Sequence, residues 1–271
     1  MLPPNLRVGT ISWAKEDWAG SFYPDDLPSD GHLAHYAKRF TTVEVDATFY
    51  RTPTPQMCRR WAEQTPDGFR FAMKMMKRVT HDKVLEGCEA DLQRFLAAAA
   101  EMGPKFAFGV LQFGYFNRKS ACPDVGAFLK RLDPFSRLCP PTATWVVEVR
   151  NPAWIGPELL DFLRERRLAF ALAETDHMPR PPELWAKYGD RLLTGGAAYA
   201  RIFGERKKIE EMTSKFDKII VDRASATREW IALFRAVLGK GVPVWAYYSN
   251  YYAGHAPGSV ELFERLWEEK P

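Results

Sequence analysis

Short apolar or alternating runs recur roughly every thirty residues along the chain, and most are followed by a segment with helical periodicity. This alternation is typical of repeated βα units. Eight runs have the composition of strands: "LRVGTISW" (6–13), "TTVEVDATFY" (41–50), "FRFAMKM" (69–75), "FAFGVLQFG" (106–114), "TWVVEVR" (144–150), "LAFALAE" (168–174), "AAYARIFG" (197–204) and "VPVWAYYSN" (242–250). The chain is therefore predicted to be an α/β protein with a parallel sheet.

Helices are predicted between these runs. The clearest are "CEADLQRFLAAAAEM" (88–102), "PELLDFLRERR" (157–167), "SATREWIALFRAVLG" (225–239) and "SVELFERLWEE" (259–269). Gly103 with Pro104, and Gly239, stand where helix C-caps are expected. Eight strands alternating with helices in 271 residues match a closed (β/α)₈ barrel of the TIM type. Because no linker interrupts the pattern, residues 1–271 are predicted to form a single domain.

An open doubly wound sheet is the alternative fold. That fold usually carries a glycine-rich phosphate loop after the first strand, whereas "GTISW" has a single glycine. The sixth and seventh units of the barrel are expected to be irregular. Residues 175–196 hold a proline-rich loop with at most a short helix, and residues 205–222 form a second excursion.

Composition excludes several classes of protein. The net charge of +4 is mild, no run of eighteen apolar residues occurs, and the first ten residues lack the features of a signal peptide. We therefore expect a cytoplasmic protein that does not span a membrane. The four cysteines lie far apart, without a C-x-x-C pair, and are expected to pack in the interior.

Charged residues occupy one face of several predicted strands. Because side chains alternate along a strand, Glu44, Asp46, Thr48 and Tyr50 should share a face. The opposite face, which should meet the helices, is apolar and comprises Val43, Val45, Ala47 and Phe49. The polar face then points into the barrel. The same rule turns the following residues inward: Lys74, Gln112, Glu148, Arg150, Glu174, Asp176, Arg201 and Asn250.

Most of these polar residues stand in the carboxyl-terminal half of their strands, where TIM barrels carry their active sites. Unpaired charges inside a barrel would each cost several kcal/mol, so acids and bases should pair there. Such a network could be purely structural, and for Glu148 with Arg150 the two interpretations are balanced. Convergence from at least six strands favours a ligand-binding or catalytic site.

The run "VEVDATFYRTPTPQMCRRWAEQTPDGFRFAMKMMKRVTH" (43–81) resembles the YecE-like family, also called domain-of-unknown-function family 72. Further similar segments are "GTISWAKEDWAGSFYP", "LQF", "VVEVRNPAW", "YARIFG" and "YYSNYYAGHAP". The resemblance implies a one-domain TIM barrel and supplies no reaction. The chain departs from the family pattern at Asn151, where a His or similar residue is usual before the proline, and at Ser249, where a second Asn is frequent.

The segment "KMMKRVTHDK" (74–83) follows the third strand and concentrates hydrogen-bond donors. Lys74 and His81 are candidate site residues, and His81 could transfer protons near neutral pH. Lys77 and Lys83 are expected to be solvated. The segment "ETDH" (174–177) could offer two carboxylates and an imidazole to a divalent metal, but the chain has only five histidines and no cofactor is predicted.

Two later segments add candidate binding residues. "YARIFG" turns Tyr199 and Arg201 inward, and Arg201 could either clamp an anion or pair with Glu174 or Glu148. "WAYYSNYYAGH" (245–255) should lie beside Trp13, where its tyrosines form either an aromatic wall for a sugar or base or a packed lid. Asn250 is the better specificity contact there.

These residues favour an enzyme that acts by general acid and base chemistry on a small polar anion bearing phosphate or carboxylate. The candidate catalytic residues are Asp46, Glu148 and Asp176, one of which would be the general base, and Lys74 and His81, one of which would be the acid. The candidate binding residues are Trp13, Glu44, Tyr50, Gln112, Arg150, Tyr199, Arg201 and Asn250. Two alternatives remain: a nucleic-acid-binding or phosphodiester-processing protein, and a barrel that binds a metabolite without turnover. No serine-hydrolase, P-loop or zincin motif occurs.

Overall fold

The computed structural model describes residues 2–269. Eight parallel strands follow one another in chain order around a closed barrel, as predicted. They are β1 (Leu6–Ile11), β2 (Thr42–Val45), β3 (Arg70–Lys74), β4 (Phe106–Gln112), β5 (Thr144–Glu148), β6 (Ala169–Thr175), β7 (Ala198–Gly204) and β8 (Val244–Tyr248). β1 pairs with both β2 and β8, which closes the order of strands.

Helices occupy the connections between the strands. Within the described residues they are α1 (His32–Arg39), α2 (Pro55–Glu63), α3 (Glu89–Ala100), α4 (Val125–Leu138), α5 (Pro157–Glu165), α6 (Pro181–Tyr188), α7 (Arg206–Met212), α8 (Ala224–Leu238) and α9 (Ala256–Glu268). The longer helices are amphipathic: α8, for example, buries Trp230, Phe234 and Val237, which recur at helical spacing. In the described part of the chain, no helix is both long and apolar enough to cross a membrane.

The backbone clusters into two compact units. One unit contains the chain up to Glu44, Leu172–Asp190 and the chain from Ala198 onward. The other contains Val45–Ala171 and Arg191–Ala197. The first unit holds β1, β7 and β8, and the second holds β3, β4 and β5.

The sixth and seventh connections are irregular, as predicted. Only the eight-residue α6 and a short 3₁₀ helix link β6 to β7. The connection from β7 to β8 adds the seven-residue α7 before the full-length α8.

Several strands end earlier than the sequence pattern suggests. β2 stops at Val45, and a 3₁₀ helix covers Asp46–Phe49. The alternation of faces therefore fails beyond Val45, and the prediction that Asp46, Thr48 and Tyr50 continue the strand face of Glu44 is wrong. Arg150 and Asn250 likewise follow the ends of β5 and β8 instead of lying within them. A strand end cannot be read from alternation alone, because polar residues also alternate by chance in the first turn that follows.

The cysteines pack in the interior, as expected. Cys58, Cys88 and Cys122 are buried, Cys139 is partly buried, and none is in a disulfide. Burial raises the pKa of the Cys58 and Cys139 thiols to about 12, so both are protonated and unreactive near neutral pH.

Candidate functional site

A fully buried ion pair joins β2 to β7. The Arg201 guanidinium binds the Glu44 carboxylate in a bidentate pair. Nη2 donates to Oε1 at 2.7 Å, and Nε donates to Oε2 at 2.9 Å. The Tyr199 hydroxyl donates to the same Oε2 at 2.7 Å. All three side chains are fully inaccessible to solvent. We call Glu44, Tyr199 and Arg201 the buried trio.

The buried trio lies inside the barrel. β8 and β1 separate β7 from β2 in the strand order, so a direct contact between β2 and β7 must pass through the interior. A second contact between strands that are not neighbours joins the Thr42 hydroxyl on β2 to the Tyr247 hydroxyl on β8 at 2.8 Å. Burial raises the pKa of Tyr199 well above its ordinary value, and the Glu44 charge raises it further. Tyr199 is therefore a permanent hydrogen-bond donor at neutral pH.

The partner predicted for Arg201 differs from the one observed. Arg201 binds Glu44, whereas Glu174 accepts a hydrogen bond of 2.5 Å from Trp230 Nε1. Trp230 belongs to α8, so Glu174 points toward the helices, and its predicted inward orientation is wrong. Because the Arg201 guanidinium is buried and already holds a carboxylate in a bidentate pair, it is poorly placed to clamp an external anion.

In the second unit, Lys74 organises a group of residues at the carboxyl ends of β2 and β3. Its ammonium lies 3.0 Å from Asp46 Oδ1 and 3.9 Å from the centre of the Phe49 ring. The Lys74 side chain is 8% exposed and the Asp46 side chain 35%. Thr48 holds the 3₁₀ helix that follows β2 against β3, because its hydroxyl donates to the Lys74 carbonyl at 2.7 Å. A nearly buried cation at the end of β3 thus pairs with a partly exposed carboxylate on the 3₁₀ helix that follows β2.

His81 lies in the same unit, within a short π-helix over Arg78–Asp82. Its ring meets Phe49 edge to face, with centroids 5.1 Å apart. Nδ1 is 2.9 Å from the Thr80 hydroxyl, which also lies 3.4 Å from the Met76 carbonyl. A carbonyl can only accept, so both contacts are satisfied when Thr80 donates to Met76 and His81 Nδ1–H donates to Thr80. That tautomer leaves the Nε2 lone pair available.

The electrostatic surroundings of His81 are positive. Burial lowers the pKa of the imidazole, and the charges of Lys74, Lys77 and Arg150 lower it further, opposed by Asp82. The ring is therefore neutral at pH 7. It can accept a proton at Nε2, and an anion bound beside it would be attracted by the same cations.

Glu148 and Arg150 form an ion pair at the end of β5. Arg150 Nε donates to Glu148 Oε1 at 2.5 Å. Glu148 is buried, but the Arg150 side chain remains 23% exposed. Gln112 stands directly opposite Glu148 in the β4–β5 register, and its amide donates to the Phe113 carbonyl. We call Asp46, Lys74, His81, Glu148 and Arg150 the rim cluster.

Asp176 belongs to the first unit and lies apart from the buried trio. It lines a cavity of about 610 Å³ together with Glu174, His177, Arg180, Arg223 and other residues. Burial raises the pKa of the Glu174 carboxyl, while the hydrogen bond from Trp230 opposes that shift. Asp176 and Glu174 therefore share one cavity, which no member of the buried trio lines.

Within residues 2–269, no three His, Cys, Asp or Glu side chains are grouped so that they could hold a metal ion. Glu174, Asp176 and His177 therefore lack the arrangement of a metal site, and the divalent cation considered from the sequence stays an untested expectation.

The segment after β8 is packed. Tyr247, Tyr248 and Tyr252 are completely buried, so they form a packed layer and not an aromatic wall. Asn250 Oδ1 accepts from Trp18 Nε1 at 3.2 Å and from the Ala256 amide at 2.8 Å. These bonds hold the loop to the start of α9.

Trp13 and Tyr50 have opposite environments. Trp13 is nearly buried, at 9% exposure, and its carbonyl accepts a 2.6 Å hydrogen bond from Tyr23. Tyr50 is 80% exposed. The early end of β2 explains this position, because Tyr50 follows the 3₁₀ helix and projects to solvent.

Three residues were missed by reasoning from sequence. Phe49 was assigned to the apolar face of β2, yet its ring contacts both Lys74 and His81. Thr80 orients His81, and Trp230 holds Glu174. Only Thr80 had a signal, because a hydroxyl next to a histidine can hydrogen-bond its ring.

Several known proteins are similar to this chain. It is 32% identical over 151 residues to the UPF0759 protein YecE of Escherichia coli, which is 56% of the chain and 50% of that protein. It is 32% identical over 176 residues to the UPF0759 protein YunF of Bacillus subtilis, covering 62% and 57%. The chain thus spans about half the length of the curated relatives it matches.

Solved structures share the fold. A DUF72 family protein from Thermotoga maritima superposes with a TM-score of 0.75 at 23% identity, covering 97% of this chain and 99% of that one. A DUF72 family protein from Enterococcus faecalis gives a TM-score of 0.71 at 18% identity, covering 98% and 96%. The family model described as "Protein of unknown function DUF72" matches residues 7–271. The chain therefore belongs to the DUF72 family, as its sequence motifs implied.

Proposed function

We propose that the rim cluster binds a small polar anion bearing phosphate or carboxylate, and that His81 transfers a proton to or from it. The observation that carries this proposal is the grouping of cations near His81. Lys74 and His81 contact the same Phe49 ring, and the charges of Lys74, Lys77 and Arg150 all lower the pKa of His81. Cations that converge on a neutral imidazole at the carboxyl ends of barrel strands are suited to an anionic substrate.

Arg150 is the anion-binding group in this proposal. Its side chain is 23% exposed, whereas that of Arg201 is fully buried. Glu148 fixes the position of the Arg150 guanidinium, and the exposed part of that guanidinium faces solvent, where an anion could reach it. The sequence suggested that Arg150 and Arg201 together hold the anion. In this proposal Arg150 alone binds it.

His81 acts first as a proton acceptor. The sequence suggested it as an acid, but its lowered pKa makes the neutral form dominant at pH 7. Lys74 supplies a positive charge held in place by Asp46 and Phe49, so it can stabilise negative charge that develops on the substrate.

Anion binding tests the proposal directly. We expect inorganic phosphate, titrated by calorimetry at pH 7, to bind the protein, and the Arg150→Ala variant to bind it roughly tenfold or more weakly. The estimate follows from the loss of about 1.5–3 kcal/mol for hydrogen bonds to a charged group.

Arg166→Ala is the matched control. Arg166 is 24% exposed and is paired with Asp133, but it precedes β6 at the amino end of the strands. The control should bind phosphate like the unmodified protein. Equal affinities of the Arg150→Ala variant and the unmodified protein would remove Arg150 from the binding site.

An assay for turnover distinguishes an enzyme from a protein that only binds its ligand. Ligands found with a panel of phosphosugars, nucleotides and carboxylates would be assayed for conversion with the unmodified protein and with His81→Asn. Conversion that is lost in the variant while binding persists supports proton transfer by His81. Tight binding without conversion supports the alternative of a metabolite-binding barrel.

A further inference from the structure

A basic surface lies beside the 3₁₀ helix that follows β2. Tyr50, Arg51, Arg78 and Arg94 line a shallow cavity of about 420 Å³, completed by Thr52, Met76 and Asp91. We call Tyr50, Arg51, Arg78 and Arg94 the basic patch. None of these four residues belongs to the rim cluster.

The basic patch carries more positive than negative charge. Asp91 is the only acid that lines the cavity, and its side chain is 3% exposed. Its carboxylate is shared by Arg78 at 3.4 Å, Lys83 at 3.2 Å and Arg94. Arg51, Arg78 and Arg94 of the basic patch thus face a single carboxylate, which Lys83 also contacts, so positive charge exceeds negative charge by at least two.

The cations of the basic patch are accessible to a ligand. The side chains of Arg78 and Arg94 are 61% and 62% exposed. Arg51 is also exposed, and it makes no hydrogen bond or ion pair with the rest of residues 2–269. An arginine with no protein partner retains all five N–H donors for a phosphate.

Tyr50 adds an aromatic surface to these charges. It is 80% exposed, the largest exposure among the large hydrophobic residues of the described chain. Its ring meets Phe49 edge to face with centroids 5.3 Å apart, and Phe49 in turn contacts Lys74. The tyrosine is therefore supported on one side by Phe49, and its exposed ring surface is available for stacking.

We infer that the basic patch binds single-stranded nucleic acid, with a base stacked on Tyr50 and neighbouring phosphates held by Arg51, Arg78 and Arg94. A single strand fits because an open, positively charged surface follows the backbone, while an exposed ring accepts any unpaired base. A duplex keeps its bases stacked and offers none to Tyr50. The inference is independent of the anion site at the rim cluster.

Fluorescence anisotropy with a labelled oligothymidylate of roughly twelve nucleotides tests the inference. The logarithm of the binding constant should fall with the logarithm of salt concentration with a slope of about −2, because three neutralised phosphates contribute about 0.7 each on a single strand. Tyr50→Ala should weaken binding by about fivefold or more, since it removes one stacked base. Tyr50→Phe keeps the ring and should bind normally.

Arg51→Ala should reduce the slope by about 0.7. Arg228→Ala is its control, because Arg228 is a 56% exposed arginine on α8 paired with Glu269. That control should change neither affinity nor slope. The thermal unfolding midpoints of all variants should stay close to that of the unmodified protein, because the altered side chains are exposed.

Inorganic polyphosphate of matched charge distinguishes nucleic acid from anions in general. It should bind more weakly than the oligonucleotide, and Tyr50→Ala should leave its binding unchanged. The inference is overturned if the oligonucleotide does not bind at low salt, if Tyr50→Ala binds it as well as Tyr50→Phe does, or if Arg228→Ala weakens binding as much as Arg51→Ala. Normal phosphate binding by these variants would show that the rim cluster is unaffected.

Discussion

Replacement of Arg201 by methionine should lower the free energy of unfolding by about 3–5 kcal/mol, the usual cost of breaking a buried ion pair on one side. The substitution removes the guanidinium that holds both oxygens of Glu44 and leaves that carboxylate inside the barrel with Tyr199 as its remaining observed donor. Because methionine is unbranched and flexible, it fills much of the space of the arginine side chain. The loss of the ion pair should therefore contribute more to the destabilisation than any change in packing. Urea denaturation of the variant measures the effect.

The double variant Glu44→Gln with Arg201→Met gives the decisive comparison. It removes both charges, so it should be more stable than the sum of the two single effects predicts, by roughly 1–3 kcal/mol. Arg228→Met on the exposed pair with Glu269 should change stability by less than about 1 kcal/mol. A loss for Arg201→Met no larger than that of this control would mean that the Glu44–Arg201 pair is unimportant for the fold.

Acidification from pH 6.5 to about 4 should lower the free energy of unfolding by about 3 kcal/mol through the protonation of His255 alone. This side chain caps α9, and its Nδ1 accepts the Gly258 amide at 3.2 Å, which requires an unprotonated nitrogen. Burial lowers the pKa of His255 to about 4, while the charge of Asp217 opposes the shift. Between these two pH values the unfolded chain therefore binds a proton at His255 that the folded chain does not bind. The stabilisation of the fold by neutral His255 is complete above pH 6.5 and is lost as the pH falls toward 4.

His255→Asn tests the pH effect. Asparagine caps helices well and does not titrate, so the variant should fold while its stability changes less between pH 6.5 and pH 4. Subtracting the stability of the variant from that of the unmodified protein at each pH removes the contribution of the acidic groups. A difference that stays constant across this range would show that His255 titrates normally in the folded state.

The barrel could be predicted because the periodicity of hydrophobic residues and the number of predicted strands both indicate this fold. Eight runs with strand composition became the eight strands of a closed barrel, and the helix over residues 225–239 was placed within one residue of α8. The carboxyl ends of strands were harder to place. In β2 the polar and apolar residues keep alternating after Val45, while the backbone has already turned into a 3₁₀ helix.

The candidate site was predicted in part. Strand alternation correctly turned Glu44, Tyr199 and Arg201 into the interior. It did not place Arg150, which pairs with Glu148 from beyond the end of β5. It could not choose the partner of Arg201, because pairing across a barrel depends on side-chain reach between strands that are not neighbours. Glu174 was misplaced for a related reason: its indole donor lies 56 residues away on α8, where no local pattern could reveal it.

The titration of His81 followed by NMR tests the central claim of a positively charged site at the rim cluster. Without an added anion, the pKa of His81 should lie below the ordinary value of 6.5, and saturating inorganic phosphate should raise it, because a bound anion favours the imidazolium. His35, on α1, should not respond, and His81→Asn identifies the resonance. A His81 pKa at or above 6.5 that phosphate leaves unchanged would contradict the site and the roles that we propose for it.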